Sequence, residues 1–418
     1  MTLKKNIFAN YIGTGAVALA QILALPWYLA ALGSGQFGLI SFVVMLQAVL
    51  GLLDAGMSQA LIREVTVRLG SPEQRGAAEL LFSFERIYWL FALSAGLVTM
   101  LFANMIVHGW LNLSGLSEEL GLQAIVGAAA IFAVQFPGSI YRSFLVGAQA
   151  QLALNGILLV CALPRHLGGV LVLLIWPTLA TYLVWQGLIA LLETLLRARF
   201  AWGTLGVGRR CVGWNSESLR PAWVMLVSMS GATWLGALTV QMDRIVLSCM
   251  VSIEQFGYYT IAASAAAGVL QFIYPLVQAV LPRAVQLRGD AVALRALSMK
   301  LVWSIGLVVL LGVLVYWFGG EWILTLWLKN SQAVSVVYPL LSVLLLGTAF
   351  NAFYNVGYIN WLAHERIGRV LQVNAASLLL AFLLIPPLVL WQGTIGAAFG
   401  WLTINLIGFA LSLEWLKR

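Results

Sequence analysis

The chain has 418 residues, of which 61% are hydrophobic and only 9% are charged. A water-soluble domain carries about 25% charged residues. This composition therefore excludes a soluble protein and indicates an integral membrane protein. The net charge of +8 does not indicate nucleic-acid binding, because the basic residues are dispersed along the chain and form no single patch.

The predicted elements are apolar segments separated by short polar loops. A membrane helix needs about 20 apolar residues, and continuous runs of this length are too long for barrel strands. The first run follows Lys4 and Lys5 without a convincing cleavage site, which favours a membrane helix over a signal peptide. We predict an all-α integral membrane protein with 12 transmembrane helices, at residues 7–32, 39–62, 87–107, 120–141, 152–175, 178–196, 222–250, 256–281, 301–318, 334–361, 370–390 and 395–416.

Two stretches depart from this simple pattern. The fifth segment is interrupted by the sequence PRHLGG at 164–169, but a helix ending at Leu163 would be too short to span the bilayer. We therefore predict one broken helix, followed by an outside turn at 176–177. The stretch 63–86 alternates charged and apolar residues, which is typical of a segment at the membrane interface.

Positive charge gives the predicted topology. Of the 23 Lys and Arg residues, all but three fall in segments that would lie on one side of the membrane. Loops rich in Lys and Arg stay in the cytoplasm, so both termini are predicted to be cytoplasmic. The three exceptions are Lys329, in an outside loop, and Arg165 and Arg244, inside apolar segments.

The two halves of the chain resemble each other. The tripeptide QFG occurs at 36–38 and at 255–257, and similar sequences close each half at 192–197 and 413–418. Each half holds six segments and starts in the cytoplasm, so the repeats are parallel, as in transporters that carry substrate between their halves. We predict two six-helix bundles, at 1–200 and 221–418, around a central cavity, with a cytoplasmic linker at 201–220.

Several short motifs follow one another in a specific order along the whole chain. They are LKKN at 3–6, ANY at 9–11, FGL at 37–39, GLLDAG at 51–56, QMDR at 241–244 and FGYY at 256–259. Their order and spacing resemble the Wzx-type O-antigen and polysaccharide flippases of the multidrug/oligosaccharidyl-lipid/polysaccharide exporter (MOP) superfamily.

That resemblance implies a multi-pass protein of the bacterial inner membrane, with two bundles that open alternately. It also implies a flippase activity on undecaprenyl-diphosphate-linked oligosaccharide, such as the repeat unit of O-antigen lipopolysaccharide. The expected partners are this substrate, the surrounding membrane lipid and other proteins of polysaccharide assembly, with no nucleic acid. No cofactor is expected, although transport coupled to H⁺ or Na⁺ fits such a protein.

The cations inside apolar segments are the first candidate binding residues. An Arg at the bilayer centre costs about 2.5–3.5 kcal/mol on insertion scales, and a hydrated cavity with a diphosphate would offset this because guanidinium pairs with phosphate oxygens. For Arg165 the alternative is a side chain that snorkels or forms an ion pair with a neighbouring helix, and for Arg244 it is an interhelical ion pair. Backbone carbonyls freed by Pro164 are expected to help satisfy Arg165. Arg244 falls roughly on one face with Trp234 and Gln241, which suits a sugar phosphate.

Intramembrane carboxylates and amides give the remaining candidates. Asp54 and Asp243 are candidates for ion coupling, with a helix-end contact or an interhelical ion pair as the alternative. Asn351, Asn355 and Tyr358 recur at helical spacing and form one polar stripe on an apolar helix. The stripe either lines a cavity or joins helices, and we favour the cavity.

Two other classes of function remain open. A multidrug exporter of the same superfamily would have the same fold, but a cationic drug calls for an acidic cavity. A membrane enzyme of polysaccharide assembly, such as a polymerase or a glycosyltransferase, needs a catalytic acid or a large outside loop, and the longest predicted outside loop has 15 residues, 319–333. Neither a catalytic arrangement nor a metal-ligand motif is recognisable in the sequence.

Overall fold

The computed structural model describes residues 3–54, 56–69, 74–206 and 208–417, which are almost entirely α-helical. Within the described chain, ten helices are long and apolar enough to cross a membrane. The all-α membrane fold predicted from the sequence is confirmed. The chain divides into two compact units, Met1–Trp234 and Leu235–Arg418, whereas the predicted bundle limits and central cavity stay predictions.

The first unit is built from eight helices and the beginning of a ninth. They are α1 (Leu3–Leu50), α2 (Met57–Leu69), α3 (Gln74–Leu101), α4 (Ala103–Gly109), α5 (Glu118–Gly147), α6 (Gln151–Leu163), α7 (Gly169–Ile175), α8 (Leu179–Leu205) and α9 (Ser216–Met250). Short 3₁₀ turns occupy Gly51–Asp54 and Arg209–Cys211.

Helix α1 contains the first predicted segment and residues 39–50 of the second. Residues 51–54 of the second segment form a 3₁₀ turn, and residues 57–62 begin α2. The backbone of α1 leaves the helical conformation at Gly33, where φ is +77°, and this left-handed region suits a residue without a Cβ. The break falls between the predicted segments 7–32 and 39–62. Because α1 is one continuous element, it accounts for one of the two helices by which the ten fall short of twelve. The other is the segment 222–250 in α9, whose side chains are described only in part.

The core of the first unit forms where α5 packs between α3 and α8. Phe136 of α5 stacks on the fully buried Tyr88 of α3, with ring centroids 4.9 Å apart. At its C-terminal end, α5 also approaches α2 closely. A Cβ built on Gly147 would lie only 2.7 Å from the carbonyl oxygen of Ile62. Small residues permit such close contacts between membrane helices.

The second unit is built from the rest of α9 and five further helices. They are α10 (Ile253–Gln286), α11 (Ala291–Leu328), α12 (Ser331–Ala363), α13 (Ile367–Gln392) and α14 (Thr394–Ser412), followed by a 3₁₀ turn at Leu413–Lys417. Helix α12 packs against both α10 and α14 and forms the centre of this unit. Helix α11 is largely exposed, with Trp303, Trp317 and Phe318 on its surface, as expected of a helix that faces lipid.

The predicted segments were too short, because they stopped at charged residues where the helices continue. Helix α3 begins at Gln74, not near residue 87, and α8 continues to Leu205, beyond 196. Of the predicted interfacial stretch 63–86, residues 63–69 therefore end α2 and residues 74–86 begin α3, while 70–73 lie outside the described residues. Hydropathy detects only the apolar part of a helix, whereas backbone hydrogen bonds continue into its polar end.

The predicted broken fifth segment is confirmed. Helix α6 is followed by a π-helical turn at Pro164–Gly168 and then by α7, which ends at Ile175. Residues 176–178 form the predicted turn, and Thr178 caps α8 by accepting a hydrogen bond from the backbone N–H of Thr181 at 3.2 Å. Proline lacks a backbone N–H, so the helical ladder cannot continue regularly through this point.

Candidate functional site: a cationic cluster in the first unit

The π-helical turn is held by side chains from neighbouring helices. Trp185 Nε1 donates to the Pro164 carbonyl at 2.9 Å, Tyr28 Oη to the His166 carbonyl at 2.9 Å, and Gln186 Nε2 to the Arg165 carbonyl at 3.3 Å. These three hydrogen bonds fix the position of Arg165 in the middle of a membrane segment. The expectation that freed carbonyls help to satisfy the Arg165 guanidinium stays a prediction.

Arg165 forms an ion pair across two helices. Its Nη2 lies 2.6 Å from Oε2 of Glu193 on α8, and the other oxygen of Glu193 pairs with Arg197 one turn further along α8. The side chains of Arg165 and Glu193 are only 15% and 12% exposed. The structure thus shows the interhelical ion pair that the sequence left open, but with two arginines on one carboxylate.

The surroundings of this ion pair are positively charged. Arg142, an exposed residue on α5, is close enough to Arg197 to interact electrostatically with it. We call Arg142, Arg165, Glu193 and Arg197 the cationic cluster. Three guanidinium groups and one carboxylate leave an excess of two positive charges, so the cluster can accept a doubly charged anion.

The sequence QMDR on α9 places two side-chain atoms without a hydrogen-bond partner in the second unit. Oε1 of Gln241 and Nε of Arg244 are buried, and neither has a hydrogen-bond partner in the described part of the chain. Leaving a buried polar group unpaired costs about 1–3 kcal/mol. Both atoms can therefore form a hydrogen bond with a polar ligand, and the predicted binding role of these two residues stays a prediction.

Asp243 has hydrogen-bond donors on both oxygens. Oδ2 accepts a hydrogen bond from Tyr259 of α10 at 2.6 Å, and Oδ1 accepts one from the backbone N–H of Arg244 at 2.8 Å. Its role in ion coupling stays a prediction. Trp234 is partly exposed and ends the first unit, so its predicted grouping with Gln241 also stays a prediction.

Asp54 lies at a break between two helices in the first unit. The 3₁₀ turn ends at Asp54, and Gly56 has φ of +86° just before α2 begins. Tyr88 and Ser58 both donate to Oδ1 of Asp54, the latter at 2.7 Å. No cation forms an ion pair with Asp54 in the described ranges, and its role in ion coupling stays a prediction.

Two asparagines of α12 join helices: Asn351, which belongs to the polar stripe, and Asn360, which lies outside it. Nδ2 of Asn351 donates to Oδ1 of Asn405 on α14 at 2.7 Å, and Nδ2 of Asn360 donates to Ser298 on α11 at 2.9 Å. Asn355 donates to the carbonyl of Asn351 at 2.8 Å. The interhelical role that the sequence left open is therefore present at Asn351, whereas Tyr358, which lies beside Tyr354, keeps the predicted cavity role as a prediction.

Two carboxylates that form ion pairs in the structure were not identified from the sequence. Glu193 lies inside the apolar segment 178–196, and its spacing of four residues from Arg197 was a visible signal. Glu85 gave no such signal because its partners are distant in sequence. Tyr141 donates to Oε1 of Glu85 at 2.7 Å, and Arg209 forms an ion pair with the same oxygen.

No family model matches this chain. A "Putative O-antigen transporter" of Shigella flexneri is 21% identical over 425 aligned residues, covering 100% of this chain and 98% of that protein. The similarity extends over the full length of both proteins, as the sequence motifs suggested.

Solved structures show the same fold. An inward-facing "multidrug resistance MATE family transporter of the MOP superfamily" matches with a TM-score of 0.78 and 12% identity, over 96% of this chain and 94% of that one. The "Lipid II flippase MurJ, inward closed conformation" matches with a TM-score of 0.72 and 15% identity, over 97% and 87%. The predicted resemblance to the MOP superfamily is confirmed, and at these identities it shows the fold.

Proposed function

We propose that this chain, a multi-pass membrane protein with the MOP superfamily fold, is a flippase for undecaprenyl-diphosphate-linked oligosaccharide. It would carry an O-antigen or related polysaccharide repeat unit from the cytoplasmic to the periplasmic leaflet of the bacterial inner membrane. The relatives named above are transporters and a flippase, which supports transport over an enzymatic role in polymerisation or glycosyl transfer.

The observation that carries this proposal is the excess positive charge of the cationic cluster. Arg165 and Arg197 share the single carboxylate of Glu193 inside membrane segments, so one guanidinium always lacks a full counter-charge. A diphosphate supplies that charge, and its oxygens match the planar donors of arginine. A cationic drug would be repelled by the same cluster, which disfavours the multidrug exporter.

The polar atoms on α9 suit the remaining parts of the substrate. Arg244 Nε can donate to an anionic or hydroxyl oxygen, and Gln241 Oε1 can accept from a sugar hydroxyl. Trp234 is exposed enough to stack on a sugar ring. In this proposal the lipid tail stays in the bilayer while the two halves open alternately, and H⁺ or Na⁺ binding at Asp54 or Asp243 drives the cycle.

The proposal is tested with the purified protein in liposomes that contain lipid-linked oligosaccharide. Flipping is measured as the fraction of sugar that becomes accessible to an added glycosidase. Replacing Arg165→Gln should lower the flipping rate at least about tenfold, because one charge-assisted hydrogen bond contributes about 1.5–3 kcal/mol. Arg199→Gln is the matched control, since Arg199 is an exposed cation on the same helix as Arg197.

The outcomes separate the candidate functions. Equal flipping by the wild type and Arg165→Gln would remove the cationic cluster from the mechanism. No flipping by the wild type, together with efflux of cationic dyes from the same liposomes, would favour the multidrug exporter instead.

A further inference from the structure

A pocket opens at one end of the second unit. It lies where α11 begins, α12 ends, α13 begins and the final 3₁₀ turn starts. The side chains that carry its chemistry are Arg295, Trp361, His364, Arg366, Glu414 and Trp415. All of these helix ends belong to segments predicted to be cytoplasmic, so the pocket would lie at the level of the inner-leaflet headgroups.

The pocket has more positive than negative charge. Its one lining carboxylate, Glu414, forms an ion pair with Arg369. Arg295 and Arg366 are exposed, and no carboxylate pairs with either of them in the described ranges. Two guanidinium groups are therefore available to an anion.

The base of the pocket is apolar and fixed in place. Trp361 and Trp415 are buried, and the Arg369 guanidinium lies over the Trp361 ring at 5.9 Å. His364 donates from Nδ1 to the carbonyl of Asn360 at 2.8 Å, since a carbonyl oxygen can only accept. An anion entering here meets a preformed site and needs no rearrangement of these groups.

The rim of the pocket continues into exposed apolar surface. Val292 precedes Arg295 by three residues on α11, and Ile367 follows Arg366 at the start of α13. Both side chains are strongly exposed. A ligand with an anionic head and hydrocarbon chains would contact the arginines with its head and these residues with its chains.

We infer that this pocket binds the phosphate headgroup of a membrane lipid in the cytoplasmic leaflet. Basic pockets at the cytoplasmic ends of membrane helices bind anionic lipid headgroups for the same electrostatic reason. The phosphate chemistry is shared by bulk anionic phospholipid and by an undecaprenyl diphosphate carrier. The inference does not depend on the proposed flippase activity, because neither Arg295 nor Arg366 belongs to the cationic cluster.

The test compares two variants of the full-length protein in detergent micelles. The double variant Arg295→Gln/Arg366→Gln removes both pocket cations. The matched control Arg283→Gln/Lys300→Gln removes two exposed cations of the same unit that do not line the pocket. Retention of phosphatidylglycerol and phosphatidylcholine is measured by native mass spectrometry, and thermal unfolding checks that each variant is folded.

We expect the wild type and the control to retain phosphatidylglycerol in preference to phosphatidylcholine. The pocket variant should lose about 30-fold in apparent affinity, since each basic residue near a membrane surface contributes about one kcal/mol to anionic-lipid binding. Folding should survive, because the backbone of Arg366, which accepts from Arg369 and Val370, is untouched by the substitution.

A competition with undecaprenyl diphosphate identifies the source of the phosphate. Displacement of phosphatidylglycerol by a low concentration of this lipid assigns the pocket to the carrier, and displacement only at equal concentration assigns it to bulk phospholipid. Both outcomes support the inference. Equal retention by the pocket variant and the control, or equal binding of both phospholipids by the wild type, would overturn it.

Discussion

Replacing Glu193 tests whether the cationic cluster is built for an anion. Glu193→Gln keeps the size of the side chain but leaves Arg165 and Arg197 without their shared carboxylate. Removing one partner of a buried ion pair costs about 3–5 kcal/mol, and the low exposure of these side chains places the cluster near that range. Arg197→Gln should cost less, about 1.5–3 kcal/mol, because Glu193 then keeps its ion pair with Arg165.

The free energy of unfolding is measured by denaturant titration in mixed micelles, first without ligand. Undecaprenyl diphosphate is then added at about 100 times its dissociation constant, which stabilises a protein that binds it by about 2.7 kcal/mol. Glu193→Gln should be stabilised by at least this amount, since the diphosphate replaces the lost carboxylate. Arg165→Gln should be stabilised less by the diphosphate, because this variant has lost a group that donates hydrogen bonds to the phosphate.

Two results would refute this reasoning. Equal destabilisation by Glu193→Gln and Arg197→Gln would mean that the two ion pairs do not share one counter-charge as the geometry indicates. A Glu193→Gln protein that is not stabilised by the diphosphate would mean that the cluster is structural and does not receive the substrate.

Three other predictions follow from the packing and the polar contacts. Gly147→Ala should cost about 1–3 kcal/mol of unfolding free energy, because its Cβ would meet a backbone oxygen, whereas Gly156→Ala, with open space, should cost nothing. A double-mutant cycle on Asn351→Ala and Asn405→Ala should give a coupling energy of about 0.6–1.7 kcal/mol, and additive effects would contradict the interhelical hydrogen bond. Asp54→Asn should abolish the response of flipping to an imposed H⁺ or Na⁺ gradient in liposomes, and an unchanged response to both ions would exclude Asp54 as the coupling group.

The helical architecture was predictable because it depends on local properties of the chain. A run of apolar residues must become a helix in lipid, since its backbone groups can be paired only within the segment. The broken fifth segment was predictable for the same reason, because Pro164 cannot donate to the ladder. The helix ends were not, because charged residues near the start of α3 and before the end of α8 interrupt the apolar runs while the helices continue.

The partners of the charged residues depended on the tertiary structure. Sequence alone determined that Arg165 lies deep in a membrane segment and therefore needs compensation, because a buried guanidinium is costly wherever it occurs. Only the packing of α8 beside the π-helical turn decided that Glu193 provides part of the compensating charge for Arg165. The same packing makes Arg165 and Arg197 share one carboxylate. Likewise, the Asn351 stripe fixed which face of α12 avoids lipid, but the position of Asn405 on α14 decided that one of its amides joins two helices. Charge and hydropathy are properties of each residue, whereas an ion pair between two helices requires side chains that the chain order does not bring together.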